Sequence, residues 1–377
     1  MDNLFQEVKI LHIIDCLGLG GAQTVVKGIF EHQNKNKNIF LFALREKDVL
    51  INIDHPNIMN FNSKRKYSIR PLFKIRDLIK KENITILHCH LFRSQVFGYF
   101  LKIIWFKDLK LIFHEHGDII KNHVIYNLFL RFSMSKVNII LAVSKATKNS
   151  LIKNAKIDYD KIRLLYNFVD LNKFNRELLD KINKEQERTG YNFKKEDFII
   201  GCAGRLIKRK GWKDFVEVAK SVISDTRFSN IKFLIGGDGK DRDELINFIK
   251  ENNLESKINY IGYISNMLYF YAILDCFCMP SYWEGLPMAQ LEALSLGIPL
   301  VTSNGPGVNE IAKEDQTCLY FKVGDQKKLK ENILRLYLDK NLQQRLTINS
   351  TALAQNFSLE NYVSQLNKIY EKIIIYN

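Results

Sequence analysis

Residues 281–310 read S-Y-W-E-G-L-P-M-A-Q-L-E-A-L-S-L-G-I-P-L-V-T-S-N-G-P-G-V-N-E. The run D-C-F-C-M at 275–279 comes just before and has the character of a buried strand. Pro280 ends that strand, because it has no N–H to give a ladder. Pro287 suits the first turn of a helix. The spacing predicts a helix over 288–296, stopped by Gly297, and a further strand over 298–302. Glu284 then falls in a strand-to-helix loop, and Glu292 lies about one helical turn inside. In an open α/β sheet, ligands bind beyond the carboxyl ends of the strands. A helix start there offers free N–H groups and the positive end of a dipole, which attract a phosphate. One carboxylate can hold sugar hydroxyls and the other a ribose diol, so the stretch suits a nucleotide-sugar.

Two carboxylates eight apart mean little alone. Here they come with Gly285, Leu286, Pro287, Ala293, Gly297 and Pro299. That context resembles the E-x7-E signature of the family 4 retaining glycosyltransferases. The resemblance implies the GT-B fold, with two Rossmann-like α/β domains facing a deep cleft. A second match lies at 204–211, G-R-L-I-K-R-K-G, after a predicted strand over 198–204. By the resemblance, Arg205 and Lys210 clamp the donor diphosphate and stabilise its charge as the glycosidic bond breaks. Glu284 holds sugar hydroxyls, Glu292 takes the ribose, and Gly285, Leu286 and Pro287 complete the donor loop. The turn G-P-G-V-N-E at 305–310 resembles the family's glycine-rich turn, which adds Glu310.

The first half opens on a predicted strand over 8–15. The loop L-G-L-G-G-A-Q at 17–23 follows, then an apolar helix. Glycines between a first strand and helix let backbone approach a ligand. The loop lacks the third glycine of a dinucleotide fingerprint, and the resemblance places Gly20 and Gly21 against the donor. The stretch F-H-E-H-G at 113–117 ends another predicted strand. Alternation puts His114 and His116 on one side, so periodicity does not choose between them. The resemblance implies a histidine near the donor sugar and acceptor, and the His-Gly pair favours His116, with His114 in reserve. His88 and His90 form a His-x-His pair that could ligate a metal. No acid or third histidine has a clear matching position, so a structural pair is expected, with His90 at most lining the cleft.

Two Asp-x-Asp triplets, at 158–160 and 241–243, sit at predicted helix boundaries, where acids favour the dipole. With Arg205 and Lys210 to supply positive charge, no metal and no cofactor are expected. The segment K-I-R-L-L-Y-N-F-V-D at 161–170 resembles the family's last strand before the hinge, with Phe168 where a glycine is usual. Residues 171–196 are polar with little periodicity and read as an interdomain linker. The expected division is an acceptor domain over 1–172, a nucleotide-sugar domain over 197–356, and a C-terminal helix over 357–377 that crosses back to the first domain.

Charge is unevenly spread. Residues 1–180 carry 29 Lys and Arg against 17 Asp and Glu; the remainder carries 27 against 24. Such asymmetry points to an anionic partner in the first half. The basic stretch at 63–76 and the aromatic-rich segments at 91–106 and 122–135 fit peripheral contact with an anionic membrane surface. They fit equally a helix packed on a sheet with a solvated basic face. The resemblance, to a family that often uses lipid-linked acceptors, tilts the reading to contact. No recognised nucleic-acid motif is present, and no nucleic-acid partner is expected. No secretory signal or spanning segment is legible, and six unpaired cysteines fit reduced thiols, so a cytoplasmic location is expected.

The resulting expectation is a retaining transfer from a nucleotide-sugar, most simply a UDP-sugar, to an acceptor hydroxyl. The pathway is surface polysaccharide, lipopolysaccharide or lipid-linked oligosaccharide assembly. Glu284 is not assigned as a covalent nucleophile; by the resemblance the leaving diphosphate takes the acceptor's proton. The competing readings are a basic nucleic-acid- or membrane-binding protein on a doubled Rossmann scaffold, and a GT-B epimerase or phosphorylase.

Overall fold

The computed structural model describes residues 8–45, 51–61, 68–117 and 124–375. The basic stretch at 63–76 and the aromatic segment at 122–135 therefore lie partly outside the described residues. Two compact units form, one from Met1–Phe168 with Leu359–Asn377 and the other from Val169–Ser358.

The first unit is built on a seven-stranded parallel sheet in the order β3-β2-β1-β4-β5-β6-β7. Its strands are β1 (Ile10–Ile14), β2 (Ile39–Ala43), β3 (Ile58–Asn60), β4 (Ile86–His90), β5 (Lys110–Glu115), β6 (Ile139–Ala142) and β7 (Ile162–Leu164). Parallel strands covered on both faces read as continuous apolar runs, and I-F-L-F-A of β2 and I-I-L-A of β6 do so. β4 departs from that rule: I-L-H-C-H is buried throughout although two of its five residues are histidines. Strand order reverses between β1 and β4, which makes their carboxyl ends the switch point of the sheet. The loop with Gly20 and Gly21 leaves β1 there, and the helix Gly21–His32 follows it.

The helix Leu359–Ile375 packs within this unit against the helix Gly21–His32. Phe168 is fully buried and its ring meets Tyr362 at 4.8 Å between centroids. Its backbone does not take the left-handed conformation a glycine would permit. The turn is simply an ordinary one, and the ring fills space left by Gly28, where a Cβ would overlap it.

The second unit carries a six-stranded parallel sheet in the order β10-β9-β8-β11-β12-β13. These are β8 (Phe198–Ala203), β9 (Ile231–Gly236), β10 (Ile258–Tyr260), β11 (Cys276–Met279), β12 (Leu300–Ser303) and β13 (Leu319–Phe321). Here the order reverses between β8 and β11. Residues 204–211 leave β8 and residues 280–287 leave β11, so the two matched motifs emerge side by side at one switch point.

The reading of 171–196 as a linker needs correction. The stretch contains two short helices, Arg176–Asp180 and Lys184–Gly190, which belong to the second unit. Arg188 is buried and anchors them. Its guanidinium donates to the carbonyls of Ile273 and Asp197 and pairs with Asp275 at 2.5 Å. Polar composition misled because one buried arginine, satisfied by carbonyls and a carboxylate, substitutes for an apolar face.

Candidate functional site

At the second unit's switch point, two loops are zipped together. A short 3-10 turn, Lys208–Lys210, ends at Gly211, whose φ is +70°. A Cβ at Gly211 would overlap the carbonyl of Pro280, so the loops approach as closely as they do because the residue is glycine. The backbone N–H of Tyr282 donates to the carbonyl of Arg209 at 2.8 Å, and the Arg209 guanidinium lies 4.1 Å above the Trp283 ring. Across this seam Lys210 Nζ donates to Glu284 Oε1 at 2.5 Å. Glu284 is buried, and an unpaired carboxylate there would be costly; Lys210 neutralises it.

A third loop supports the second. Gly307, with φ +74°, lies against the carbonyls of Glu284 and Gly285, and the N–H of Glu284 donates to Pro306 at 3.0 Å. Glu284 is thus held by its side chain from one loop and by its backbone from another. Gly285, Leu286 and Pro287 are buried beside it, and Glu310 is half-buried at the end of the third loop. Arg205 leaves β8 one residue past Gly204 and is exposed.

Glu292 lies on the helix Met288–Ser295, which starts just after Pro287. It is buried, and Tyr271 Oη donates to its Oε2 at 2.9 Å. Burial raises its pKa from 4.5 to about 7, although the tyrosine bond pulls the other way. Tyr271 was not legible as a partner from the sequence. It stands 21 residues before Glu292, on the helix Met267–Ile273, and only the fold brings the two together. The Asp-x-Asp at 241–243 has a structural use, since Asp241 accepts from Trp212 Nε1 at 3.1 Å.

In the first unit, the switch point brings together Gly20, Gly21 and the histidines. Gly21 opens its helix and a Cβ there would meet nothing. His116 sits just past β5, half-buried, and its Nε2 lies 2.9 Å from His90 Nδ1. His114 is fully buried, with its Nδ1 3.1 Å from His88 Nε2. The two candidates therefore differ: His116 reaches the strand end, and His114 is enclosed. Burial pushes His116 down to about 3 and holds His90 and His114 well below 6.5. His88 and His90 are not an isolated pair as expected. His12 on β1 and His114 and His116 at β5 face them, because the parallel register sets Ile14 beside His90 and His90 beside His114. Nothing along the chain marks that register.

The family "Glycosyl transferases group 1" matches residues 183–352, and "Glycosyltransferase Family 4" matches residues 19–173. The chain belongs to the family 4 glycosyltransferases. Both halves of this GT-B enzyme are therefore accounted for, and it is a glycosyltransferase. Among its relatives is the UDP-Gal:alpha-D-GlcNAc-diphosphoundecaprenol alpha-1,3-galactosyltransferase of Escherichia coli, 23% identical over 390 residues and 100% of each chain. Another is the N-acetyl-alpha-D-glucosaminyl L-malate synthase of Bacillus anthracis, 22% identical over 82% of this chain and 80% of that one. In fold it resembles HepE of Anabaena, solved in complex with UDP, with a TM-score of 0.83, 17% identity, and coverage of 97% and 100%. None of the described helices is long and apolar enough to cross a membrane.

Proposed function

We propose that this glycosyltransferase moves a sugar, with retention of anomeric configuration, from a UDP-sugar to an acceptor hydroxyl. The acceptor is a glycan or lipid-linked intermediate of surface polysaccharide or lipopolysaccharide assembly. The observation that carries this reading is the Lys210–Glu284 pair at 2.5 Å, set between two switch-point loops, with Arg205 on the first loop and Glu292 on the helix that follows the second. Lys210 and Arg205 present positive charge where a diphosphate develops negative charge as the sugar departs. A phosphate arriving at Lys210 takes over its ammonium, and Glu284 is freed to accept sugar hydroxyls. Glu292, once ionised, accepts from the ribose diol. Two lysine- and arginine-borne charges replace a metal on the diphosphate, so transfer proceeds without one. His116, Gly20 and Gly21 serve donor sugar and acceptor from the first unit.

The relatives support this reading by what their names say of them: one uses UDP-Gal, and HepE was solved with UDP. Peripheral contact with an anionic membrane, on the cytoplasmic side, belongs to the same proposal. The helix Val124–Ser133 exposes Val124, Ile125, Leu128 and Phe132, each more than half accessible, beside the exposed Arg131. Such an apolar stripe flanked by basic charge suits a headgroup layer. The test is a panel of UDP-, GDP- and ADP-sugars with undecaprenyl-diphosphate-linked GlcNAc, read by mass spectrometry and by NMR of the new anomeric proton, with EDTA present. An α-linked product from one UDP-sugar supports the reading. Inversion, sugar release without acceptor, or dependence on added Mn²⁺ overturns it.

A further inference from the structure

Five histidines and one tyrosine form a continuous polar layer inside the first unit. His12 lies on β1, His88 and His90 on β4, His114 on β5 and His116 just beyond it. Register pairs His12 with His88 and His90 with His114, so alternation sends all five rings to one face of the sheet. Tyr370, from the helix Leu359–Ile375, enters the same layer. His116 Nε2 lies 2.9 Å from His90 Nδ1, and His90 Nε2 lies 3.0 Å from His12 Nδ1. His12 Nε2 and His88 Nδ1 lie 3.3 and 2.6 Å from Tyr370 Oη. His88 Nε2 lies 3.1 Å from His114 Nδ1. The two ends, His114 Nε2 and His116 Nδ1, are buried and have no partner among the described residues, although their rings stack 4.1 Å apart.

A buried polar nitrogen without a partner is unusual, and His114 Nε2 is one that a bound ion would satisfy. The same cluster can place one ring nitrogen from each of His90, His114 and His116 within 4.8 Å of the others. We propose that His90, His114 and His116 form a site for a divalent transition ion of the Zn²⁺ type, with water completing the coordination.

The proton inventory permits it with every ring neutral. Tyr370 Oη accepts from both His12 Nε2–H and His88 Nδ1–H, which leaves its own O–H without an acceptor among the described residues. His90 then donates through Nε2 to His12, and His114 donates through Nδ1 to His88. His116, whose Nε2–H makes the 2.9 Å contact to His90 Nδ1 in the metal-free protein, shifts its proton to Nδ1. Three lone pairs remain, on His90 Nδ1, His114 Nε2 and His116 Nε2, and no proton has been lost. Two of the ligands thereby have the remote N–H held by a neighbouring ring, the outer support that metal-bound imidazoles ordinarily show. With Zn–N near 2.05 Å, tetrahedral ligands stand about 3.3 Å apart, so the 2.9 Å His90–His116 contact need open only by a few tenths of an ångström. The inner trio His12, His88 and His90 is a poorer site, since each of its ring nitrogens already has a partner and all three are enclosed. The outer trio has the half-buried His116 as its entry.

Untagged, metal-free full-length protein is dialysed against Zn²⁺ and its content read by mass spectrometry. Co²⁺ is added in parallel and its visible spectrum recorded. One ion per chain, tetrahedral Co²⁺ bands, and at least tenfold weaker binding in His116→Gln are expected, with His32→Gln as an exposed control. No stoichiometric binding, octahedral Co²⁺ only, or unchanged binding in His116→Gln overturns the proposal and leaves a self-satisfied imidazole layer. Because the Co²⁺ spectrum is taken on the wild type, a variant that fails to fold does not protect the idea. Binding is read without reference to glycosyl transfer. If the proposed function also holds, Zn²⁺ suppresses transfer by occupying His116 while UDP affinity is unchanged.

Discussion

Glu292→Gln separates the stability of the second unit from its chemistry. In the wild type, burial raises this carboxyl from 4.5 to about 7. The folded state therefore holds a proton that the unfolded state releases between pH 4.5 and 7. Stability falls as pH rises through that window, and the full penalty is present above pH 7. At about 1.4 kcal/mol per pH unit the penalty is roughly 3 kcal/mol. Glutamine keeps the shape and still accepts from Tyr271, but carries no charge to desolvate. The variant is expected to lie within about 1 kcal/mol of the wild type at pH 5 and to exceed it by about 3 kcal/mol at pH 8. For a unit of this size that is roughly 6–12 °C in melting temperature. Calorimetry at pH 5 and pH 8 reads the difference directly. The same variant binds UDP at least tenfold more weakly, because a hydrogen bond to a charged acceptor is lost. A melting difference that is equal at the two pH values would refute the reasoning, since burial of an ionisable group is its only source.

Gly307→Ala places a Cβ against the Glu284 and Gly285 carbonyls at a φ of +74°, and a loss of about 1–3 kcal/mol is expected in urea denaturation, with transfer impaired. Arg188→Ala leaves the carbonyls of Ile273 and Asp197 without this donor, while Asp275 keeps Lys184 and the Ile199 N–H, and a loss of about 2–3 kcal/mol checks that residues 176–190 are integral to the second unit; a tether would show no change. Ile125→Glu with Leu128→Glu removes most flotation with vesicles containing anionic lipid but leaves UDP binding untouched; flotation equal to wild type contradicts membrane contact through this helix.

The placement of Glu284 and Glu292 was legible because its signals are local. Pro280, Pro287 and Gly297 punctuate a strand, a loop and a helix, and the spacing of Glu284 and Glu292 then fixes which acid is in the loop and which in the helix. The adjacency of residues 204–211 and 280–287 came instead from strand order, which no short stretch carries. The histidine layer was missed for the same reason. His88 and His90 were visible as a pair, but the rings that face them come from neighbouring strands and depend on register. Residues 171–196 misled in the opposite direction: a polar composition concealed one buried arginine that ties two short helices to a sheet. Phe168 departs from the usual glycine without strain, because Gly28 on another helix makes the room.

The central claim is that Lys210 and Arg205 hold the diphosphate of a UDP-sugar. Titration calorimetry with UDP, GDP and ADP on the wild type, Lys210→Met and Arg205→Ala tests it most directly. The account predicts that UDP binds the wild type in preference to GDP and ADP, and that each variant binds it at least tenfold more weakly with EDTA present. Binding of no nucleotide at millimolar concentration, or equal affinity in all three proteins, would contradict it.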